Sequence, residues 1–517
     1  MRAILSPWDK RGLEVFAGDL QTLGFTLYAT DRTVSLLSSA GQVVQNVSEL
    51  TAHPEMLGGR VKTLHPAIYA GLLADRDNPD HLSQLERSGY QPFHLVAVNL
   101  YPFQATIESP SATLKEAIEN IDIGGVSLLR AAAKNFAHVI PVVDPADYPS
   151  VVERLRSHSD DLVWRRQMAA KAFRHVAIYD AHIAGYLGGS VDQFPEVLPV
   201  ALSKRQDLRY GENPHQRAAL YVQTPHAAAS STIVGARQLN GKELSFNNIL
   251  DVDAAFRCVR DFAATTVAII KHGNPCGLAS ADTVPDAYRK AHDGDPLSAF
   301  GGAVGLNRPV DAPTARIIAE SHYDDLVAPG YTDEALEILR RRRNLRILQI
   351  DLPAAEDVTN AINPAVDLDF RRVSGGFLVQ TPDALAEDDV TVRTVTEREP
   401  TPEERANLLF AWRAVKHVKS NAIVLARDAS LVGVGAGQMS RVDAVDIAIR
   451  KAGDRVAGSV LASDAFFSHP DGPELAAKAG ITAIIQPGGA LHDADIVAVA
   501  NRYHLAMVFT GRRHFRH

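Results

Sequence analysis

The sequence predicts an α/β protein, with a doubly wound parallel sheet in its first part and a second region of mixed strands and helices after it. Three observations carry that expectation. Apolar runs of strand length alternate with stretches of helical periodicity. The runs break off at Gly, Pro and Asn, the residues that turn a chain. At 517 residues the chain exceeds what one hydrophobic core organises, so about two to four domains are expected.

Ala3-Ile4-Leu5 reads as the first strand. Leu13, Phe16, Leu20 and Leu23 form a helical stripe, and Gly24 stands where a helix end favours a left-handed residue. Residues 25–29 are a second strand. Leu95-Val96-Ala97-Val98-Asn99-Leu100 is a buried strand that runs into Tyr101-Pro102, residues 127–135 are helical, and 139–143 form another strand. One long helical region, 164–187, leads to a linker candidate, Phe194-Pro195-Glu196-Val197-Leu198-Pro199. Beyond it, strand-like segments stand at 267–270, 301–306, 422–426, 432–437 and 483–486. No short-period repeat and no low-complexity tract is present.

Composition narrows function as well as fold. Hydrophobic residues make up 46% and charged residues 22%, the balance of a packed protein rather than a disordered one. No apolar run nears the roughly 18 residues that span a bilayer, and the apolar stretch after Met1 is too short for a signal peptide, so no membrane partner is expected. Cys258 and Cys276 are the only cysteines, which excludes a disulfide framework and fits a cytoplasmic location. A formal charge of −8 argues against a general nucleic-acid binder. The basic run Arg340-Arg341-Arg342-Arg343 follows helix-like residues 334–339 and reads as a solvated helix end, where cations suit the dipole.

Two places carry chemistry. In Val267-Ala268-Ile269-Ile270-Lys271-His272-Gly273-Asn274-Pro275-Cys276-Gly277, an apolar strand stops at two titratable residues. Neighbouring strand side chains face opposite ways, so the pair serves one pocket only if the chain bends there, and Gly273 with Asn274-Pro275 supplies a bend. A solvated lysine beside a hydrogen-bonded histidine is the alternative that local sequence leaves open. In the first region, Gly58-Gly59-Arg60-Val61-Lys62 puts two cations on one face if extended, behind glycines that allow close backbone approach. Asp122-Ile123-Gly124-Gly125 opens a helix whose free N–H groups favour an anion, with Arg130 and Lys134 one turn apart. These describe a small-anion site at strand ends, against a bland reading of ordinary turns and solvated cations.

The same residues carry a resemblance. Pro54-Glu55-Met56-Leu57-Gly58-Gly59-Arg60-Val61-Lys62-Thr63-Leu64-His65-Pro66, Asn99-Leu100-Tyr101-Pro102-Phe103 and Asp122-Ile123-Gly124-Gly125 through Ala133-Lys134-Asn135 come first. Leu208-Arg209-Tyr210-Gly211-Glu212-Asn213-Pro214-His215, the Lys271-His272 turn and Asp295-Pro296-Leu297-Ser298-Ala299-Phe300-Gly301-Gly302 follow. Ser420-Asn421, Gly435-Ala436-Gly437-Gln438-Met439-Ser440-Arg441 and Ser463-Asp464-Ala465-Phe466-Phe467 complete an ordered set. Over nearly its whole length the chain resembles the AICAR transformylase / IMP cyclohydrolase family of bifunctional purine-biosynthesis enzymes.

The resemblance implies two activities. The C-terminal part transfers a formyl group from 10-formyltetrahydrofolate to the 5-amino group of AICAR, and the N-terminal part closes the product, FAICAR, to IMP with loss of water. It implies a methylglyoxal-synthase-like domain over residues 1–198 and a transformylase domain over 199–517, built of two repeated cytidine-deaminase-like units. It also implies a homodimer with shared transformylase sites. Zinc is not expected, because the Pro-Cys-x-x-Cys and His-x-Glu ligands are missing, and a potassium ion near Asp464 is left open.

By the same likeness, His272 is the base of formyl transfer, Lys271 stabilises charge, and Asn421 bonds the formyl or carboxamide group. Arg209 and Tyr210 grip the nucleotide, Asn240 contacts substrate, and Phe300 and Phe466 sandwich flat rings. Arg441 and Arg513 meet carboxylate, phosphate or carboxamide groups, although the ending Arg512-Arg513-His514-Phe515-Arg516-His517 would otherwise read as a frayed tail. For ring closure, Lys62 and Tyr101 handle protons, Asp122 and Lys134 orient the carboxamide, and Arg60, Thr33, Gly124 and Gly125 bind substrate.

The phosphate loop departs from the family. Where a Ser-Thr-Gly-Gly-Thr-Ala type loop is usual, this chain reads Ala29-Thr30-Asp31-Arg32-Thr33-Val34, and Ser6-Pro7-Trp8-Asp9-Lys10 departs from the usual Ser-Val-Ser/Tyr-Asp-Lys at its second and third residues while keeping Asp9-Lys10. A carboxylate facing phosphate is unfavourable. The expectation is a retained cyclohydrolase with an altered phosphate subsite; the alternative is an impaired one beside a working transformylase. Apart from the resemblance, a ligase or deaminase lacks its P-loop or zinc ligands here, and an RNA-binding scaffold lacks interleaved aromatics.

Overall fold

Strands apolar on both faces need a covering layer on each side, and the first part of the chain is built that way. The computed structural model describes residues 1–109, 111–189, 194–223, 231–352, 368–384 and 391–517. It divides into two units, Met1–Ser203 and Lys204–Val222 with the described residues from 231 onward. Among the described residues, no helix is long and apolar enough to cross a membrane.

In the first unit, β1 (Arg2–Leu5), β2 (Thr26–Ala29), β3 (Val44–Asn46), β4 (Leu95–Ala97) and β5 (Ile140–Val142) form one parallel sheet in the order β3-β2-β1-β4-β5. Alternate residues of β1 enter different cores. Ile4 packs with Val96, Leu129 and Ala172, whereas Ala3 and Leu5 pack with Leu13, Phe16 and Ile140. Gly24 ends the first helix, Leu13–Thr22, at φ 82° as its position requires. The long helix runs over Leu162–Gly188, and residues 194–199 hold neither helix nor strand. Strand order reverses between β1 and β4, which places a crevice at their C-terminal ends.

The second unit repeats one set of elements. Helix Phe246–Arg260 precedes a hairpin, Thr266–Lys271 with Asn274–Ser280, followed by helix Val284–Gly294 and strands Gly302–Leu306, Tyr323–Ala328 and Arg346–Gln349. Helix Pro402–Val415 likewise precedes the hairpin Ile423–Arg427 with Ser430–Gly435, followed by helix Arg441–Ala452 and strands Val460–Ser463, Ala483–Gln486 and Ala506–Phe509. Each run is closed by an antiparallel edge strand, Arg237–Asn240 or Arg393–Thr394. The two runs join into a 12-stranded sheet where Ala279 lies opposite Ser430.

Both hairpins use two-residue turns with positive φ at each residue, His272 (52°) and Gly273 (73°), then Asp428 (52°) and Ala429 (52°). Such primed turns match the twist of antiparallel strands. The expected bend is therefore tighter than the sequence suggested, since Asn274 and Pro275 already belong to the returning strand, opposite Lys271 and Ile270.

Gly277 and Gly433 hold the same place in the two returning strands. A Cβ there would lie 2.0 Å from the Ala291 carbonyl oxygen and 2.1 Å from that of Ala448, so only glycine lets each helix settle on its strand. Gly433→Ala should destabilise the fold by on the order of 3 kcal/mol, read as a lower Tm in thermal unfolding. An unchanged Tm would mean that the helix can slide away.

Candidate functional site

The first hairpin turn opens onto a cavity of about 720 Å³ lined by Tyr210, Lys242, Asp251, Lys271, His272, Asp325, Arg341, Arg342, Arg343 and Arg346, among others. Lys271 Nζ donates to the carbonyls of Phe300 at 2.8 Å and Gly301 at 3.0 Å. An ammonium has three donors, so one N–H remains for a ligand. Adjacent His272 stands in the left-handed region, where a side chain costs roughly 1 kcal/mol. Asp251 Oδ1 holds the turn by accepting the Gly273 N–H at 2.7 Å. Burial raises the Asp251 pKa, opposed by that hydrogen bond and by the charges of His272 and Lys271.

The arginine run is exposed at a helix end, as sequence suggested, and it also borders the cavity. Its helix, Asp333–Arg340, stops one residue in, and Arg341, Arg342 and Arg343 line the cavity. Asn240 explains this: its Nδ2 donates to the carbonyls of Leu345 at 2.8 Å and Arg342 at 3.2 Å, which pins the loop. Its amide N–H groups are thus committed to the loop rather than to substrate. Exposed Arg209 lies 5.8 Å over the Tyr210 ring, and Phe300 stacks on His322 at 4.9 Å. Sequence reasoning missed Asp251 and Asp325, because single carboxylates in otherwise ordinary helix and strand leave no pattern.

Asn421, Arg441 and Asp464 form a second cluster outside that cavity. Arg441 donates to Asn421 Oδ1 at 2.8 Å and Ser463 Oγ at 2.9 Å, and it pairs with the fully buried Asp464. Asp464 Oδ1 also accepts the Ala422 N–H at 3.2 Å, while Oδ2 has no partner. Asn421 Nδ2 donates to the carbonyls of Gln438 at 2.8 Å and Met439 at 3.2 Å. Phe466 is half-buried. The chain end, far from frayed, is pinned. The His514 N–H donates to the Asp464 carbonyl at 2.9 Å, its ring pairs with Asp383 at 2.7 Å, and Arg516 donates to the His417 carbonyl at 2.6 Å. Arg513 stays exposed, 4.5 Å over the Phe515 ring.

In the first unit the loops after β1, β2 and β4 converge. The Asp9 N–H donates to Asn99 Oδ1 at 2.7 Å, Ser6 Oγ lies 3.2 Å from Thr30 Oγ1, and Trp8 meets Tyr101 edge-on at 5.2 Å. Asp122 sits with Tyr101 and Lys62: burial raises its pKa, against N–H bonds from Gly125 and Tyr101 and the Lys62 charge. Glycines make this closeness available. A Cβ at Gly59 would lie 2.7 Å from Lys62 Cε, one at Gly125 2.5 Å from Asp122 Oδ2, and one at Gly124 3.1 Å from Thr63 Oγ1.

Several expectations for this site change. Residues 56–61 close a loop rather than running extended, so Arg60 pairs with Glu119 and Lys62 with Glu55 at 3.0 Å instead of sharing one open face. The Gly125 N–H is not free for a ligand, because Asp122 Oδ1 takes it at 2.7 Å. Lys134 ends the helix Gly124–Lys134, about 15 Å from its start by helical rise, so one chain does not bring it to Asp122. Thr33 is 2% exposed. Asp31 begins helix Asp31–Ser39, where a carboxylate suits the dipole, and its Oδ1 accepts from Asn46 Nδ2 at 2.6 Å. Arg32 is exposed near Lys10, whose pKa is lowered by burial and then by the Arg32 charge.

Fold and geometry describe an α/β protein of two units, one with loops that converge at the carboxyl edge of a parallel sheet and one with a cation-lined cavity at a hairpin turn, the architecture of an α/β enzyme. The family model described as AICARFT/IMPCHase bienzyme matches residues 132–451, and the MGS-like domain model matches residues 12–127. A protein of Anoxybacillus flavithermus named bifunctional purine biosynthesis protein PurH is 51% identical over 518 residues, covering 100% of this chain and 99% of its own. Proteins of the same name from Oceanobacillus iheyensis and Bacillus cereus are each 48% identical at the same coverage. A solved structure titled "Crystal structure of ForH" aligns at 37% identity with 37% of this chain and 99% of its own, at a TM-score of 0.34. The chain belongs to the AICARFT/IMPCHase bienzyme family.

Arg441→Ala should destabilise the protein by about 3 to 5 kcal/mol in denaturant unfolding, since it leaves the Asp464 carboxylate buried without a cation. Arg441→Lys should not restore it, because a point charge cannot bridge Asn421, Ser463 and Asp464 together. A loss under about 1 kcal/mol would refute this role.

Proposed function

We propose that the chain performs both reactions of its family, each in its own unit: formyl transfer from 10-formyltetrahydrofolate to AICAR in the second, and dehydrative closure of FAICAR to IMP in the first. The observation that carries the placement of formyl transfer is the hairpin turn that sets Lys271 and His272 on the wall of an arginine-rich cavity. Arg341, Arg342, Arg343 and Arg346 suit the phosphate of AICAR. His272 takes a proton as the 5-amino nitrogen bonds to the formyl carbon, and the spare N–H of Lys271 stabilises the oxyanion. Collapse then breaks the bond to N10 of the folate, which takes up a proton and leaves as tetrahydrofolate.

Asn421, Arg441, Phe466 and Arg513 act on this substrate from a second copy of the chain in a homodimer, a reading supported by their absence from the cavity lining. Asp464 Oδ2, buried and without a partner, fits a potassium ion, whose role would be to hold the Asn421 segment in place. No step requires zinc.

Ring closure joins the carboxamide nitrogen to the formyl carbon and expels water. Lys62, Tyr101 and Asp122 stand where they can move its protons, and burial of Asp122 favours the form that carries one. The reaction is largely intramolecular, so holding the two ends together supplies much of the rate. Lys134 reaches such a site only from a second copy. Because Asp31 is turned to Asn46 while Arg32 stands by Lys10, the loop retains a cationic phosphate subsite, which favours a working cyclohydrolase over an impaired one.

Separate assays test the division of labour. Lys271→Ala and His272→Ala should each slow tetrahydrofolate formation at least about 100-fold and leave cyclisation of supplied FAICAR intact. Lys62→Ala should do the reverse, and a variant that loses both activities or neither would overturn the assignment. His272→Asn should keep or raise the Tm, by up to about 1 kcal/mol of stability, while formyl transfer is lost, because asparagine suits a primed turn.

A further inference from the structure

Asp325 takes no part in either reaction above, yet it borders the nucleotide cavity. It lies in strand Tyr323–Ala328 and is 1% exposed. Oδ2 accepts from Asn248 Nδ2 at 2.7 Å, but Oδ1 has no hydrogen-bond partner. Arg346 Nη1 stands 3.8 Å from that oxygen, too far for a hydrogen bond and close enough for strong attraction at so dry a place. The Arg346 guanidinium also lines the cavity, with its Nε donating to the Glu243 carbonyl at 3.1 Å. One cation therefore faces a resident carboxylate and the space where a substrate anion enters.

The surrounding charges set the direction of coupling. On its own strand Asp325 neighbours Asp324. Helix Phe246–Arg260 brings Asn248 and Asp251, strand Arg346–Gln349 brings Arg346, and Lys242, Lys271, His272, His322 and Arg341 to Arg343 line the same cavity. Burial pushes the Asp325 carboxyl up to about 7; Asn248 and Arg346 pull it down, and Asp324 and Asp251 push it up.

We infer that Asp325 competes with the substrate's phosphate for Arg346, so that filling this cavity with nucleotide is coupled to uptake of a proton by Asp325. The inference rests on the cavity being the AICAR site of formyl transfer. An arriving phosphate adds negative charge beside Asp325 and favours its neutral form. The neutral form in turn releases Arg346 to the phosphate. Affinity must then fall as the pH rises through the Asp325 pKa, since deprotonation restores the competitor. The substrate phosphate itself titrates near pH 6 with the opposite effect. That contribution is common to all variants, so the readout is a comparison between them.

The test is calorimetric binding of AICAR to the full chain at pH 6 and pH 8. Relative to Asp325→Asn, the parent should lose on the order of fivefold in affinity between the two, for a site whose pKa rises by about one unit on binding. Near pH 7, paired buffers of different ionisation enthalpy should show more proton uptake by the parent, and in turnover the effect should fall on KM rather than kcat. Identical pH dependence and proton uptake in the two proteins would overturn the inference. If Asp325→Asn does not fold, Arg346→Gln removes the contested cation, and the excess pH dependence must vanish with it; persistence refutes the competition. Failure of the underlying reading looks different, because Arg343→Ala would then leave AICAR affinity unchanged at every pH.

Discussion

Backbone packed directly on backbone is the constraint on which the second unit depends. At Gly277 and Gly433 a helix carbonyl occupies the space where any other residue would place its Cβ. The helix can therefore lie low across the hairpin, and the hairpin's direction is fixed without side-chain interlocking. The same device occurs twice, with the same primed turn at its tip. What differs is the turn's content and surroundings. His272-Gly273 meets a cavity rich in cations, whereas the Asp428 carbonyl merely accepts from Lys290 Nζ at 3.2 Å. The repeated topology supplies two equivalent strand ends, and the titratable and cationic side chains gather at one of them.

Buried carboxylates organise what surrounds those ends. Asp251 receives the Gly273 N–H of the first hairpin turn, Asp122 accepts from the helix start beside Lys62, and Asp464 anchors Arg441. None of these is a cheap source of stability, because desolvating a carboxylate consumes most of what its partners return. Their effect is geometric. A carboxylate out of water accepts from few directions, so each fixes one turn, one helix start or one guanidinium. Asp325, like Asp464, has one bonded oxygen and one without a partner, but the cation nearest its unpartnered oxygen, Arg346 at 3.8 Å, also lines the cavity, and that is what couples it to whatever else approaches Arg346.

The parallel sheet of the first unit was legible because its signals are local: apolar strands, a period-3.6 stripe and a glycine at a helix end. The Lys271-His272 break was legible for the same reason. Features held by distant residues were not. Arg341 to Arg343 are the exposed helix end that sequence suggested, but their place beside the cavity was not legible, because Asn240, about a hundred positions earlier, ties down their loop. The terminal His514 and Arg516 look free until Asp383, Asp464 and His417 claim them. Lys134 is a different case: the helical pattern alone sets it about 15 Å from Gly124, so only the resemblance, and not the fold of one chain, groups it with Asp122. The repeat in the second unit was expected only through the resemblance, because what repeats is topology and two glycines rather than a readable motif.

The loop after β2 shows how a carboxylate where the family has glycine can be accommodated by the helix that follows it. A carboxylate at position 31 would repel phosphate if it faced the crevice, but as the first residue of a helix it is drawn to the backbone N–H end and held by Asn46. That leaves Arg32 and Lys10 close enough for one to depress the protonation of the other. Among the described residues neither is in an ion pair, so their repulsion stands unrelieved in the free protein. An anion bound between them removes that repulsion as well as adding its own attraction. On the proposed reading, a pair of like charges that a phosphate would reconcile does by other physical means what two glycines would do by close backbone approach.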